Sequence, residues 1–315
     1  MRKLTTAALA GTLGFFASTA FAQDCEPSKW GADDTIGSAN LVTPERTLEA
    51  AKLIKQGKSM PLGITIGPDT PAFPPRSLSL QIVQPNQQGG VKMTGFGYEG
   101  NYNDDVLQTW IGIGSQLDGL GHLGESGMYY NCLDEKEISV ITGLTKLGTH
   151  DVPPLVGRGV VVDMAAHMGV DAMEAGQAFG SEEIKAAAEA QGVEFREGDI
   201  ILFYTGWTDA NFTENPQMWG SSEPGLSNEG AEYLATLNPM AVGADTWGLE
   251  AVPPKEGDKV FYGHVTFLKE NGIYILETMN VGPLLEEGVN EFMFVLGQNR
   301  IRGAVQAMIN PVALY

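Results

Sequence analysis

The chain has 315 residues, and its 39 acidic side chains outnumber 19 basic ones, for a formal charge of −20. A field of that sign repels nucleic acid and anionic lipid, which excludes both as partners. No run beyond the first residues is apolar enough to span a bilayer, so no membrane partner is expected.

Arg2 and Lys3 form a basic n-region, Leu4 to Phe16 a short apolar stretch, and Ala20-Phe21-Ala22 a cleavage site with small residues. The pattern predicts a signal peptide over residues 1–22 and a mature chain, 23–315, in the periplasm or secreted. The remaining 293 residues show no linker-like shift in composition and no internal repeat, so a single domain is expected. In an oxidising compartment Cys25 and Cys132 either pair, pinning the N-terminus, or stay as two buried thiols.

Thr43-Pro44-Glu45 predicts a helix start, with an N-cap and proline in the first turn, running through Leu48, Ala51 and Ile54 towards Gly57. The proline-rich segment 69–76 reads as a surface loop or an oligomer arm. Residues 77–83 alternate as a half-buried strand does, and 106–113 read as a second strand. A short buried strand follows at 159–162, then a helix from Ser181 to Gly192 and a buried strand at 199–204. A helix at 228–237 leads to a strand at 240–243, and a helix at 260–270 leads to a strand at 273–277. Segments 291–296 and 304–314 read as strands. Strands alternating with helices predict a mixed α/β sheet.

The only histidines are His122, His150, His167 and His264, and there is no H-E-x-x-H, paired C-x-x-C or G-x-S-x-G. The familiar zinc-protease, zinc-ribbon and serine-hydrolase signatures are thereby excluded. Residues 119–124 fit G-x-G-x-x-G, but no helical pattern follows, and a nicotinamide cofactor does not suit an exported protein. If residues 112–122 are extended, Gln116, Asp118 and His122 project to one side, with Gly112 and Gly114 leaving room there. A carboxylate, an imidazole and an amide oxygen in such a groove can hold a divalent metal; an Asp–His hydrogen bond in a tight glycine turn is the alternative. Glu277 shares a strand face with Ile273 and Ile275, where a buried carboxylate is costly without a cation; an exposed strand end is the other reading. His150, His167 and His264 read by default as structural imidazoles.

Several pieces then recur in a familiar order: Trp30-Gly31 with Asp33, Gly37, Asn40, Thr43 and Pro44, then Asp118 to His122 with Tyr130-Asn131. After these come Arg158-Gly159 to Asp163, Gly198-Asp199 with Thr205-Gly206-Trp207, Val242-Gly243 with Asp245-Thr246, His264 with Glu277, and Arg302-Gly303 with Pro311. In this order, over nearly all of the mature chain, they resemble the longer branch of the cyclase or kynurenine formamidase-like family of metal-dependent hydrolases.

The resemblance implies a swivelling β/β/α-like α/β fold, with central β-structure flanked by helices, in a homo-oligomer. That family's central motif, His-x-Gly-Thr-His-x-Asp-x-Pro-x-His, supplies metal ligands and a base, completed by a later His and Glu. Asp118, His122, His264 and Glu277 match it, while Gly112 and Gln116 stand where the first two histidines belong, and Ser115 and Leu120 replace the threonine and proline. The resemblance therefore implies one divalent ion, Zn²⁺ or Mn²⁺, held by Gln116, Asp118, His122, His264 and Glu277. Whichever of His122 and Glu277 does not ligate is expected to act as base. Tyr130, Trp207 and Trp247 are expected to line an aromatic substrate pocket. The implied activity is hydrolysis of a small amide, lactone or ester by arylformamidase-like chemistry. The alternative is a non-catalytic periplasmic small-molecule binding protein that kept the fold and lost catalysis with the two histidines.

Overall fold

The computed structural model describes residues 25–85, 87, 92–93, 95 and 97–315; the predicted signal peptide lies outside these residues. In chain order the principal strands are β1 (Ser59–Pro61), β2 (Leu78–Val83), β3 (Asp104–Thr109), β4 (Gln116–Asp118), β5 (Leu155–Asp163), β6 (Ile200–Tyr204), β7 (Ala241–Ala244), β8 (Tyr274–Glu277), β9 (Glu291–Leu296), β10 (Gln306–Met308) and β11 (Val312–Leu314). β2 and β3 pair only with each other and form a two-stranded arm. The other nine make one sheet in the order β1-β11-β9-β5-β6-β7-β8-β4-β10.

The centre of the sheet follows from uninterrupted apolar runs. Val160 to Val162, Ile200 to Phe203 and Tyr274 to Leu276 are fully buried, as strands covered on both faces must be. β5, β6, β7 and β8 accordingly run parallel. The outer strands pair antiparallel on both sides. Helices α1 (Pro44–Ala51), α2 (Ser181–Gln191) and α3 (Asn228–Thr236) flank it. The expected start of α1 is present: the Thr43 side chain accepts the Arg46 N–H. α2 presents Ile184, Ala187 and Ala188 to the core and stops at Gly192, whose φ of +69° suits glycine. Buried Arg158 on β5 bonds Asp199 Oδ2 (2.6 Å) and Glu291 Oε2 (2.8 Å), tying the start of β6 to β9.

Five predicted elements differ. α1 ends at Ala51 instead of running through Ile54 towards Gly57, and β2, expected half-buried, is exposed from Ser79 to Ile82 because it pairs only with β3. The strand expected at 106–113 ends at Thr109, because the chain must bend before β4, with Gly114 at φ +69°. The strand expected at 304–314 is two strands on different parts of the sheet, β10 beside β4 and β11 between β1 and β9. Pro311, which has no N–H to offer a ladder, lies between them. The helix expected at 260–270 is one α-turn, Tyr262–His264, continued as a π-helix, Val265–Asn271, a conformation that recurs at functional sites.

Of the two readings for the cysteines, the bonded one holds: Cys25 is joined to Cys132. No helix among the described residues is long and apolar enough to cross a membrane. The bond closes a separation of 107 residues, and restricting a loop of that order stabilises a fold by about 3–5 kcal/mol. Cys132→Ser is expected to lower the urea midpoint by a corresponding amount, and an unchanged midpoint would show that the link contributes nothing.

Candidate metal centre

Sheet register assembles most of the site. Gln116 and Asp118, two apart on β4, share one face. Glu277 on β8 lies directly opposite Gln116, and Gln306 on β10 directly opposite Asp118. Cross-strand partners share a face, so three adjacent strands present these four polar groups together. Leu117 between them is wholly buried on the other side.

The two histidines arrive differently. β4 stops at Asp118, so His122 does not reach the site by strand alternation as an extended segment would bring it. The chain turns instead, the His122 N–H donating to the Gly119 carbonyl at 2.9 Å, and Nε2 comes to 3.7 Å from Asp118 Oδ2. Gly119 permits this turn because a Cβ there would stand 2.6 Å from the Val305 carbonyl oxygen. His264, where the α-turn gives way to the π-helix, places Nε2 3.6 Å from Asp118 Oδ2 and 3.2 Å from Glu277 Oε1. The room expected at Gly112 and Gly114 is filled. A Cβ at Gly112 would stand 2.7 Å from Arg76 Nη1 and 2.8 Å from Gln306 Oε1, and Ile66 fills the space at Gly114.

Several partners carried no sequence signal. Glu250 accepts His264 Nδ1–H at 2.7 Å and the backbone N–H groups of Gly263 and His264 at 2.8 and 2.9 Å. With Nδ1 committed to a carboxylate, Nε2 faces Asp118 and Glu277 and becomes a ligand once its proton is displaced, the arrangement that orients a metal-ligating histidine. Gln306 donates to Asp118 Oδ1 at 2.7 Å, and the Gln116 amide donates to Glu277 and, at 3.3 Å, to Asp118. Glu223, fully buried, accepts the Trp247 N–H at 2.7 Å. Burial and the nearby Glu277 push its carboxyl well above the usual range.

The charges are strongly coupled. Burial works against ionising Asp118, but the adjacent His122 and His264 and the Gln306 bond outweigh it and hold the carboxyl at about 2. Burial, then the charge of Asp118, raises Glu277 to about 7. For His264 burial opposes protonation, yet Asp118, Glu250 and Glu277 together hold the imidazole well above its ordinary value. Burial dominates at His122 and, with His264 and Arg76, keeps it below the ordinary value despite Asp118.

Asp118 Oδ2 is buried without a hydrogen-bond partner; the imidazoles at 3.6 and 3.7 Å are too distant to supply one. An ionised oxygen left so is costly unless a cation meets it. Ligand atoms of Asp118, His264 and Glu277 all lie within 4.8 Å of one another, and such a mixed oxygen and nitrogen set suits Zn²⁺ or Mn²⁺. These residues fit a divalent ion. His122 stands at the rim, its side chain 23% exposed against 5% for His264, and Gln116 adjoins the group.

Segment 69–76, expected as a surface loop or arm, covers the centre. Phe73 stacks on Trp247 with ring centroids 5.1 Å apart, and these two residues with Arg76 and Trp219 border a cavity of about 10 Å³. Trp207, expected in the pocket lining, does not reach this cavity: it is buried behind, packed with Trp219 and Trp247. Tyr130 does not line this cavity, which corrects its placement. Its hydroxyl lies 2.6 Å from both Ser28 Oγ and Asp34 Oδ2, because Asn131 and the Cys25–Cys132 bond tie that turn to the N-terminal segment.

A mixed α/β fold with a buried Asp/His/Glu group able to bind a metal at the end of its parallel strands defines the class of protein. The Cyclase family model matches residues 60–251, and the chain belongs to that family. A solved structure described as a novel cyclase is 27% identical, with 91% of this chain and 96% of that one covered and a TM-score of 0.82. Isatin hydrolase A from Ralstonia solanacearum shares the fold at 16% identity, covering 86% and 97% with a TM-score of 0.61. So does a predicted metal-dependent hydrolase from Bacillus stearothermophilus, at 15% identity, 81% and 97% coverage and a TM-score of 0.53. No curated protein matches the sequence.

Two outcomes follow for metal binding. Glu250→Gln removes the charge that fixes the His264 tautomer and is expected to weaken Mn²⁺ binding about 10–100-fold by calorimetry; unchanged affinity would exclude the orienting role. Because Glu277 is raised to about 7 and His264 is raised as well, an incoming ion must displace protons. Affinity is therefore expected to fall by about tenfold or more from pH 8 to pH 6, with proton release seen across buffers of differing ionisation enthalpy.

Proposed function

We propose that this protein is a metal-dependent hydrolase of a small amide, lactone or ester. The observation that carries the reading is the unpartnered, buried Asp118 Oδ2 between two imidazoles and beside Glu277. The family membership, and the shared fold of relatives named as metal-dependent and isatin hydrolases, support it.

Asp118, His264 and Glu277 would hold the ion, with Gln116 beside them. When bound, a divalent ion supplies Lewis acidity to a carbonyl and to water. The side chains divide the remaining work. Glu250 keeps His264 in one tautomer, and Gln306 fixes the Asp118 carboxylate. His122, neutral at physiological pH because burial lowers its pKa, stands at the open rim, where it accepts a proton from water and returns it to the leaving group. Phe73 and Trp247 stack on each other and line the cavity beside the centre.

The signal-like N-terminal pattern and the Cys25–Cys132 bond support an exported protein. Exposed Leu80, Ile82, Val106 and Leu107 on the β2–β3 arm support self-association.

Mn²⁺-loaded protein is expected to hydrolyse at least one of an N-formyl arylamine, isatin or an aryl ester, with activity abolished by chelator and restored by metal. His122→Ala is expected to lower kcat by about 10²–10⁴-fold while retaining the ion. Chelator-insensitive turnover would overturn the reading, and tight binding of aromatic acids by an inert protein would favour the binding-protein alternative.

A further inference from the structure

We propose that Arg76 is a substrate-binding residue that selects molecules bearing a carboxylate beside the scissile bond. The inference deepens the hydrolytic reading above and rests on it.

Arg76 comes in over the site because Gly112 has no side chain. Its Nη1 donates to the Gly112 carbonyl at 2.6 Å, and a Cβ at 112 would meet Nη1 at 2.7 Å and Cζ at 2.9 Å. The same Cβ would stand 2.8 Å from Gln306 Oε1, so Arg76 and Gln306, whose amide holds Asp118, both close on that glycine. The guanidinium is thus separated from the carboxylate at the centre of the site by one side chain.

Arg76 is half-buried beside the site and, like most of the described basic residues, sits in no ion pair. It borders the cavity with Phe73, Trp219 and Trp247. One Nη reaches a backbone carbonyl, which leaves the rest of the planar fork to receive a bidentate acceptor. A fixed cation beside stacked aromatic rings recognises a flat organic anion, and a guanidinium matches a carboxylate better than an ammonium does. The same segment carries Phe73 onto Trp247 and Arg76 onto Gly112, so the aromatic and the charged contacts are presented together.

The test uses full-length Mn²⁺-loaded protein and two probes of matched shape, benzoate and benzamide, measured by calorimetry without turnover. The wild type is expected to prefer benzoate by about tenfold or more. Arg76→Met is expected to remove that preference while benzamide affinity stays within about twofold, and Arg76→Lys to restore part of it. Equal affinity of the wild type for the two probes would overturn the proposal whether or not the variants fold. Loss of both probes together in Arg76→Met would also overturn it, leaving Arg76 as a clip for its loop. Chelator-sensitive hydrolysis surviving either result would leave the hydrolase reading standing.

Discussion

The site depends on one ionised oxygen that the protein itself does not satisfy. Asp118 is wholly buried, yet it is held ionised by its neighbours, and its Oδ2 receives no hydrogen bond. Stranded charge of this kind costs several kcal/mol unless a counter-charge is close. The other groups can be understood as answers to that cost. Two imidazoles point Nε2 towards it, Gln306 quiets its other oxygen, and Glu250 braces His264 from behind. Adding Glu277, raised to about 7, makes a pocket whose charge a divalent ion would balance.

The fold converts this chemistry into a matter of register. Slipping β4 by one residue against β8 would turn Gln116 and Asp118 away and bring Leu117 into their place. What prevents it is the apolar core behind: Leu117 and Leu276, directly opposite each other on that face, are fully buried. Core packing and site geometry are therefore fixed by the same pairings. The site also lies where parallel strands β6, β7 and β8 end, at Tyr204, Ala244 and Glu277, a place α/β sheets commonly use for ligands.

How much of this was legible in the sequence depended on the reach of each interaction. The helix start at Thr43, the end of α2 at Gly192 and the buried runs of β5, β6 and β8 announce themselves through local pattern, and they form where expected. Asp118, His122, His264 and Glu277 were singled out by resemblance of spacing, and the structure brings them together. Glu250, Gln306 and Arg76 were not visible, because each meets its partner through the tertiary fold. Gln306, for example, lies 188 residues from Asp118. Several of the motif residues that carried the resemblance prove to be structural: Arg158 with Asp199 as an ion pair, Asp245 as the acceptor for Thr205, Asn131 as a clamp on the N-terminal segment. Tyr130 was misread for the same reason, its hydroxyl serving that clamp rather than the cavity.

The central claim is that Asp118 and its neighbours exist to hold an ion, and elemental analysis of the purified protein addresses it most directly. The account predicts one divalent transition-metal ion per chain after dialysis against metal-containing buffer, and near-complete loss of it in folded Asp118→Asn. Wild-type protein that retains no ion, or an Asp118→Asn variant that retains as much as the wild type, would contradict it.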